Sequence, residues 1–371
     1  MQVIDYIKTH GLEKLQQEFH AEISDYPDRV VLNYSQIDSP RFHPIMDECR
    51  ALILRKGTWE VMARSFDRFY NVGEGDGWKG RDVTQARIET KHDGSLMSLY
   101  HDRQKWCVST RKKAFAEGQT TYGRVFSEIF FGIVDPQRFD FGQDMTWVLE
   151  LCGPENRVVT RYDEPQVFLI GGRHNSSGRE LSGTELDNAA TATGIPRPKH
   201  YQAKTFEEVQ ALADAMPALD EGFVLVWENS EGSHFRLKCK NTAYLAIAHM
   251  RDNGIIAPKH VLQLVMDNDH LEYLGYFPED TKLFGIAQTN FDGFVKQSKA
   301  VYEDCRGLES QKDFALAIQA KLRYPSAAGA LFKARKDGSD VEANLRAMSA
   351  EKLVDAFGLK EAMAKLFSNP S

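Results

Sequence analysis

The first stretch able to carry chemistry is "KHDGS", residues 91–95, where Lys91 ends one strand-like pattern and stands just before another. A lysine has an ordinary pKa near ~10.4, so almost none of it is free amine at neutral pH. Desolvation or neighbouring cations can lower that value and turn the amine into a nucleophile. The flanks "ARIETK" and "LMSLYH" alternate apolar and polar residues, which predicts two strands joined by a tight Asp93-Gly94 hairpin turn. In that reading Gly94 lets the backbone approach a ligand, and Asp93 and Ser95 fix the turn through local hydrogen bonds. For these five residues alone, a solvated lysine beside a turn is the simpler account.

Three further segments shift the balance. "WVLELCGPENRVV" sets Glu150 inside an apolar strand pattern, where a carboxylate either faces solvent or is committed to a ligand. Glu221 precedes Gly222 at the start of another hydrophobic strand, "GFVLVWE". "HFRLKCK" alternates Arg236, Lys238 and Lys240, which a strand projects onto one face. Three cations there repel one another unless an anion joins them, and phosphates would serve. Each segment has a plain structural account, but together they place a phosphate-handling site around Lys91. A lookalike, "RKDGS" at residues 335–339, has Arg335 at the lysine position and helical flanks. Arginine does not give up its proton, so Asp337-Gly338 is expected to be a helix-to-helix turn.

The elements that must position these residues are mostly short strands. Candidates are "RVVLNYS", "ALILRK", "WEVMARSF", "ARIETK", "LMSLYH", "WCVSTR", "TWVLELC", "QVFLIGGR", "GFVLVWE" and "HFRLKCK". Helical spacing interrupts them at residues 120–131, 182–193 and 205–216, and "MQVIDYIKTHGLEKL" reads as one amphipathic first helix. From about residue 258 the pattern is helical throughout. The expected fold is therefore an α+β body over residues 1–250 followed by an all-α C-terminal domain over 251–371.

Composition narrows the function class. The chain has 371 residues, enough for two cores, and 42% hydrophobic with 27% charged residues is ordinary for a globular protein. No apolar run approaches the ~18 residues of a membrane span, and the start lacks a signal-peptide layout. The five scattered cysteines, with no CxxC pair, suggest reduced thiols in a cytosolic protein. A net charge of −7 argues against non-specific coating of nucleic acid, but it leaves room for a basic groove. There is no Walker loop, no HExxH and no GxSxG, and Gly171-Gly172 lacks the third glycine of a dinucleotide fingerprint.

In this order, "KHDGS", "ELCGPENRVV", "FLIGGR", "EGFVLV" and "LKCK" resemble motifs I, III, IIIa, IV and V of the covalent nucleotidyltransferases. Within that superfamily the chain is most similar to the RNA ligase 1 family of T-even bacteriophages. "DECRALIL" and "RSFDRFYNVGE" upstream of Lys91 add to the similarity, which covers roughly residues 30–250. The resemblance implies an ATP-grasp-like ligase domain of antiparallel sheets with flanking helices. It also implies that Lys91 attacks the α-phosphate of ATP and carries AMP, and that Glu150 holds the ribose. Glu221 would help bind Mg2+, with Mn2+ able to substitute. Lys238 and Lys240 would contact the α-phosphate, and Arg50 and Arg68 the pyrophosphate. Arg111 falls where the family has a basic residue. Three positions depart from the family: Ala51 stands where it has glycine, Arg68 where lysine is usual, and no Gly-Ser accompanies Arg111. The last motif allows two registers, Lys238/Lys240 or Arg236/Lys238.

The function so implied is ATP-dependent joining of RNA 3′-hydroxyl and 5′-phosphate ends, with tRNA repair as a setting. The C-terminal helices are then candidates for RNA recognition, with a packing domain as the alternative. The expected protein is a monomer without membrane association, in the cytoplasm (the host's, if phage-encoded). Alternatives are a DNA ligase or capping enzyme of the same superfamily, or a non-catalytic RNA-binding protein on a relic ligase fold. A DNA ligase would normally continue into a β-rich OB-fold after the last motif, whereas this chain continues into helical patterns.

Overall fold

The computed structural model describes residues 1–120, 122–252 and 254–368. They form two compact units, one ending at Gly254 and the other beginning at Ile255. The first unit is α+β and contains three sheets. In the first sheet, β1 (Ala21–Asp25), β2 (Arg29–Tyr34), β3 (Leu52–Arg55) and β4 (Val61–Ala63) run antiparallel in sequence order. Helices α1 (Gln2–His10), α2 (Leu12–Phe19) and α3 (Pro44–Glu48) cover it, packing Val3, Ile7, Leu15 and Met46 against Val30, Leu32, Leu52 and Leu54. The single first helix expected from the sequence is broken at Gly11, whose φ of 84° ends α1 in the region that glycine enters without strain.

The second sheet holds β5 (Tyr70–Asn71), β6 (Arg87–Thr90), β11 (His200–Tyr201), β12 (Gly222–Trp227) and β13 (Phe235–Lys240). Their order is β11-β6-β12-β13-β5, antiparallel except for the β13–β5 pair. The third sheet has β7 (Ser95–Asp102), β8 (Lys105–Ser109), β9 (Met145–Cys152) and β10 (Gln166–His174), in the antiparallel order β10-β9-β7-β8. The expected hairpin is therefore absent: β6 and β7 belong to different sheets, and residues 91–94 are the crossover between them. Turn chemistry is local, whereas β6 finds its partner in β12, more than 100 residues later.

Period-two alternation then builds the two faces of each sheet. On β13, Leu237 and Cys239 enter a core with Phe223 and Leu225 of β12 and Val209 of α6 (Phe206–Asp214). Arg236, Lys238 and Lys240 project from the opposite face, as the sequence pattern required. On β9, Trp147, Leu149 and Leu151 pack towards Ile129 and Phe130 of α4 (Phe126–Ile133) and Leu186 and Ala189 of α5 (Gly183–Thr193). The other face of β9 carries Val148, which packs with Ala51, Phe66 and Leu96, and then Glu150. The helix expected over 120–131 begins only at Phe126, because Gln119 bridges Val125 and Thr120 N donates to the Arg124 carbonyl. Helix α7 (Thr242–Met250) ends the unit and is capped by Asn241.

The second unit is helical, organised on the 25-residue helix Thr281–Cys305, which buries Leu283, Phe284, Phe291 and Phe294. Asp337-Gly338 is the helix-to-helix turn expected there. Gly338 closes helix Ala328–Asp337 at φ 72°, and Asp340 caps helix Val341–Arg346. Among the described residues no helix is long and apolar enough to cross a membrane. All five cysteines are free and buried.

Candidate active site

The inner faces of the second and third sheets enclose a cavity around the crossover. Lys91, Glu89, Val224, Val226 and Arg236 line it from one sheet, Glu150 and Ile170 from the other, and Arg50, Phe66 and Phe69 from the segments between. Lys91 is fixed through its backbone, since its N–H donates to the Gly222 carbonyl at 2.8 Å and continues the β6–β12 ladder by one step. Its Nζ donates to Glu221 Oε2 at 2.7 Å, and Lys240 Nζ reaches Glu221 Oε1 at 2.8 Å. Glu221 thus bridges the two ammonium groups.

These contacts set the charges. Burial raises the pKa of the Glu221 carboxyl, but Lys91 and Lys240 outweigh it and hold the group below the usual range. Burial alone would lower the Lys91 pKa, yet the nearby carboxylates of Glu221, Glu150 and Asp93 win and raise it. The expectation of a depressed Lys91 therefore fails for this state, in which Lys91 is an ammonium held by Glu221. The depressed lysine is Lys238, which burial and then Lys91, Arg50 and Lys240 bring down to about 7. Its Nζ lies 5.1 Å from the Phe69 ring centre and makes no hydrogen bond or ion pair among the described residues. Glu150 is pushed up to about 7, chiefly by burial, and also lacks a hydrogen-bond partner there. Both groups are half-buried at the cavity, where a ligand could take up their hydrogen-bonding capacity.

The two registers of the last motif separate clearly. Arg236 is buried, forms a two-pronged pair with Glu180 and lies 3.8 Å from the Phe66 ring centre. It is committed to structure, which leaves Lys238 and Lys240 as the pair facing the crossover.

Three guanidinium groups, of Arg50, Arg68 and Arg111, gather near Tyr34. Arg68 and Arg111 lie over its ring at 4.1 and 4.9 Å, and Arg50 lies 5.3 Å from the Phe69 ring centre. Arg50 Nη1, Arg68 Nη1 and Arg111 Nε are all buried without a hydrogen-bond partner. Such a set of unmatched donors suits a polyanion. Ala51, where the family has glycine, is fully buried with a φ of 55°. That left-handed backbone costs roughly 1–2 kcal/mol for a residue with a Cβ.

Asp93 and Gly94 act differently from turn residues. Asp93 Oδ2 accepts from the backbone N–H groups of Val159 and Thr160 at 2.7 and 2.8 Å, while Oδ1 accepts from the Tyr244 hydroxyl at 3.0 Å. It ties the crossover to the loop after β9 and to α7. Ser95 Oγ accepts from Asn156 Nδ2 at 3.0 Å rather than closing a turn. Gly94 is required by proximity, because a Cβ there would lie 2.4 Å from the Leu151 carbonyl oxygen. Residues missed in the sequence include Glu89, buried between Arg87 and Arg197, and His92, whose ring stacks on Phe168 at 3.6 Å and 9°. Strand alternation in "RIETK" puts Glu89 on the face of Lys91 and was a usable signal. Nothing local marks His92.

The arrangement is a lysine at a sheet crossover, with Glu150 and Glu221 beside it and Lys238 on the same cavity-facing side of β13, a setting whose charges suit a phosphate group. The RNA ligase family profile matches residues 48–244, more than half of the chain, and the chain belongs to that family. A protein of Autographa californica nuclear polyhedrosis virus, named as a bifunctional polynucleotide kinase/RNA ligase, is 29% identical over 72% of this chain. This chain spans only 40% of that relative's length. An RNA ligase of Rhodothermus phage RM378 is 24% identical over 71% of each chain. A solved archaeal ATP-dependent RNA ligase superposes with a TM-score of 0.48 at 13% identity, covering 99% of this chain and 83% of its own.

Proposed function

We propose that this chain is an ATP-dependent RNA ligase that joins 3′-hydroxyl and 5′-phosphate RNA ends through a lysyl-AMP intermediate. The observation that carries the reading is the Lys91–Glu221–Lys240 bridge set between two unsatisfied groups, Glu150 and Lys238. Lys91 Nζ, released from Glu221, would attack the α-phosphorus of ATP. A P–N bond forms, the bond to the pyrophosphate oxygen breaks, and Nζ loses its proton. Lys238 and Lys240 would stabilise charge on the α-phosphate, where donors fixed in advance contribute most. Glu150 would hold the ribose hydroxyls. Arg50, Arg68 and Arg111 would hold the departing pyrophosphate with the donors left unmatched around Tyr34.

In the second step an RNA 5′-phosphate oxygen displaces Lys91, which takes back a proton. In the third a 3′-hydroxyl attacks that activated phosphate and AMP departs. All three are in-line phosphoryl substitutions, governed by positioning and electrostatics. Glu221 is the residue that would hold Mg2+ or Mn2+. An ion held by one carboxylate would complete its shell with phosphate oxygens and water. Such an ion neutralises phosphate charge. RNA recognition by the helical C-terminal unit, tRNA repair, a monomeric state and a cytoplasmic location (the host's, if phage-encoded) belong to the same reading.

Intact-mass measurement after incubation with ATP and Mg2+ tests it. Wild type gains one AMP, whereas Lys91→Ala and Lys91→Arg gain none, the latter because arginine keeps its proton. GTP in place of ATP gives no adduct. Failure of wild type to take up AMP removes the reading.

A further inference from the structure

A second cavity, of about 350 Å³, adjoins the Lys91 cavity and shares Phe69 and Arg236 with it as walls. At its edge the Tyr70 hydroxyl donates to Asp47 Oδ1 at 2.6 Å and accepts from Phe42 N at 2.7 Å. The Phe42 ring is thereby held against Tyr70, with centres 4.1 Å apart, yet Phe42 is 49% exposed. Gly75 wraps its edge so closely that a Cβ would lie 2.7 Å from the ring. Phe42 is thus a half-exposed aromatic ring stacked on Tyr70, with the Arg41 guanidinium 5.8 Å from its centre.

Most charges of this cavity are paired; the two that are not, among the described residues, are Asp47, which accepts from the Tyr70 hydroxyl and feels the charge of Arg68, and Arg68 itself. Asp67 is paired with Arg64 and Arg173, Glu74 with Arg41, and Arg236 with Glu180. Arg68 is only 8% exposed, makes no ion pair among the described residues, and leaves its buried Nη1 without a partner. Its guanidinium lies 5.4 Å from the Tyr70 ring centre, one ring away from Phe42. A half-exposed aromatic ring near a guanidinium with a spare buried donor suits a nucleotide, with base on ring and phosphate on arginine.

In-line chemistry selects which nucleotide. Pyrophosphate leaves the α-phosphorus on the side opposite Lys91, and the group that later displaces Lys91 must arrive from that same side. We propose that this cavity binds the 5′-phosphate-terminated nucleotide of the RNA, its phosphate on Arg68 and its base stacked on Phe42. Arg68 then serves twice, first for pyrophosphate and afterwards for the RNA phosphate that replaces it. This inference rests on the ligase reading above.

The test uses full-length enzyme carrying AMP, mixed with an RNA that has a 5′-phosphate and a blocked 3′ end, so that it can occupy only this site. Phe42→Ala should take up AMP at the wild-type rate and melt at the wild-type temperature. The RNA concentration for half-maximal AMP transfer should rise about tenfold, the scale of one lost base–aromatic stack, and Phe42→Trp should restore it. Arg68→Lys should narrow the preference for 5′-phosphate over 5′-hydroxyl RNA in fluorescence-anisotropy binding. Unchanged RNA dependence in an AMP-loaded Phe42→Ala enzyme overturns the site while leaving the ligase reading intact. Absence of AMP on wild type overturns both.

Discussion

Glu150 shows what the site costs at the level of one residue. Its carboxyl is raised to about 7, mainly by burial, from an ordinary value of 4.5. Between those two pH values the folded protein keeps a proton that the unfolded chain releases, so stability falls as pH rises through the window and stays lower above it. The penalty at pH 8 is on the order of 3 kcal/mol. Glu150→Gln should therefore unfold at higher denaturant at pH 8, gain little at pH 4.5, and lose AMP capture. An equal gain at both pH values would show that burial of the carboxyl is not the cause. This residue was legible because a glutamate in an apolar strand must either face solvent or hold a ligand. The charge state of Lys91 was not, because the two carboxylates that act on it most, Glu221 and Glu150, come from the loop before β12 and from β9, far away in sequence. Asp93 was misread for the same reason: its three partners are Val159, Thr160 and Tyr244.

At the level of elements, the two Asp-Gly pairs allow a direct comparison. Gly338 has φ 72° and open space where a Cβ would go, so Gly338→Ala meets only the left-handed penalty of about 1 kcal/mol. Gly94 is crowded by backbone, with the Leu151 carbonyl oxygen 2.4 Å from the position of a Cβ. Gly94→Ala must push the crossover away from β9, at roughly 1–3 kcal/mol, and carry Lys91 out of line with Glu221. Denaturant melts combined with AMP-adduct mass should show both variants destabilised and only Gly94→Ala defective in AMP uptake. Normal uptake by Gly94→Ala would mean that the close approach does not position Lys91. The longer strands and their facing were readable because alternation is local, and Arg236, Lys238 and Lys240 share a face as the pattern required, whereas β1 and the two-residue strands β5 and β11 were not expected. Strand partnership was not readable, which is how a crossover between sheets passed for a hairpin. The late start of α4 has the same origin, since the Gln119–Val125 bridge competes with a helical pattern that looks continuous.

At the scale of the whole molecule, every residue assigned to nucleotide chemistry lies in the unit that ends at Gly254. That unit closes its own cores: α1–α3 on the first sheet, α6 on the second, α4 and α5 on the third. The helical unit has a separate aromatic core along Thr281–Cys305. It also exposes Lys321, Arg323, Lys333 and Lys336, a cationic stretch on a chain whose net charge is −7. Phosphate backbones are held by such local surpluses, and the binding weakens with salt. If the first unit holds all the chemistry and the second grips RNA, removing the second should separate the two activities. A chain ending at Gly254 should unfold cooperatively and take up AMP within about threefold of the full-length rate, a change in barrier of no more than about 0.7 kcal/mol. It should join RNA poorly even when the RNA is supplied already adenylylated, and the full-length chain should lose that joining steeply as salt rises. Undiminished, equally salt-sensitive joining by the shortened chain would move RNA recognition to the first unit, leaving the helices a packing role.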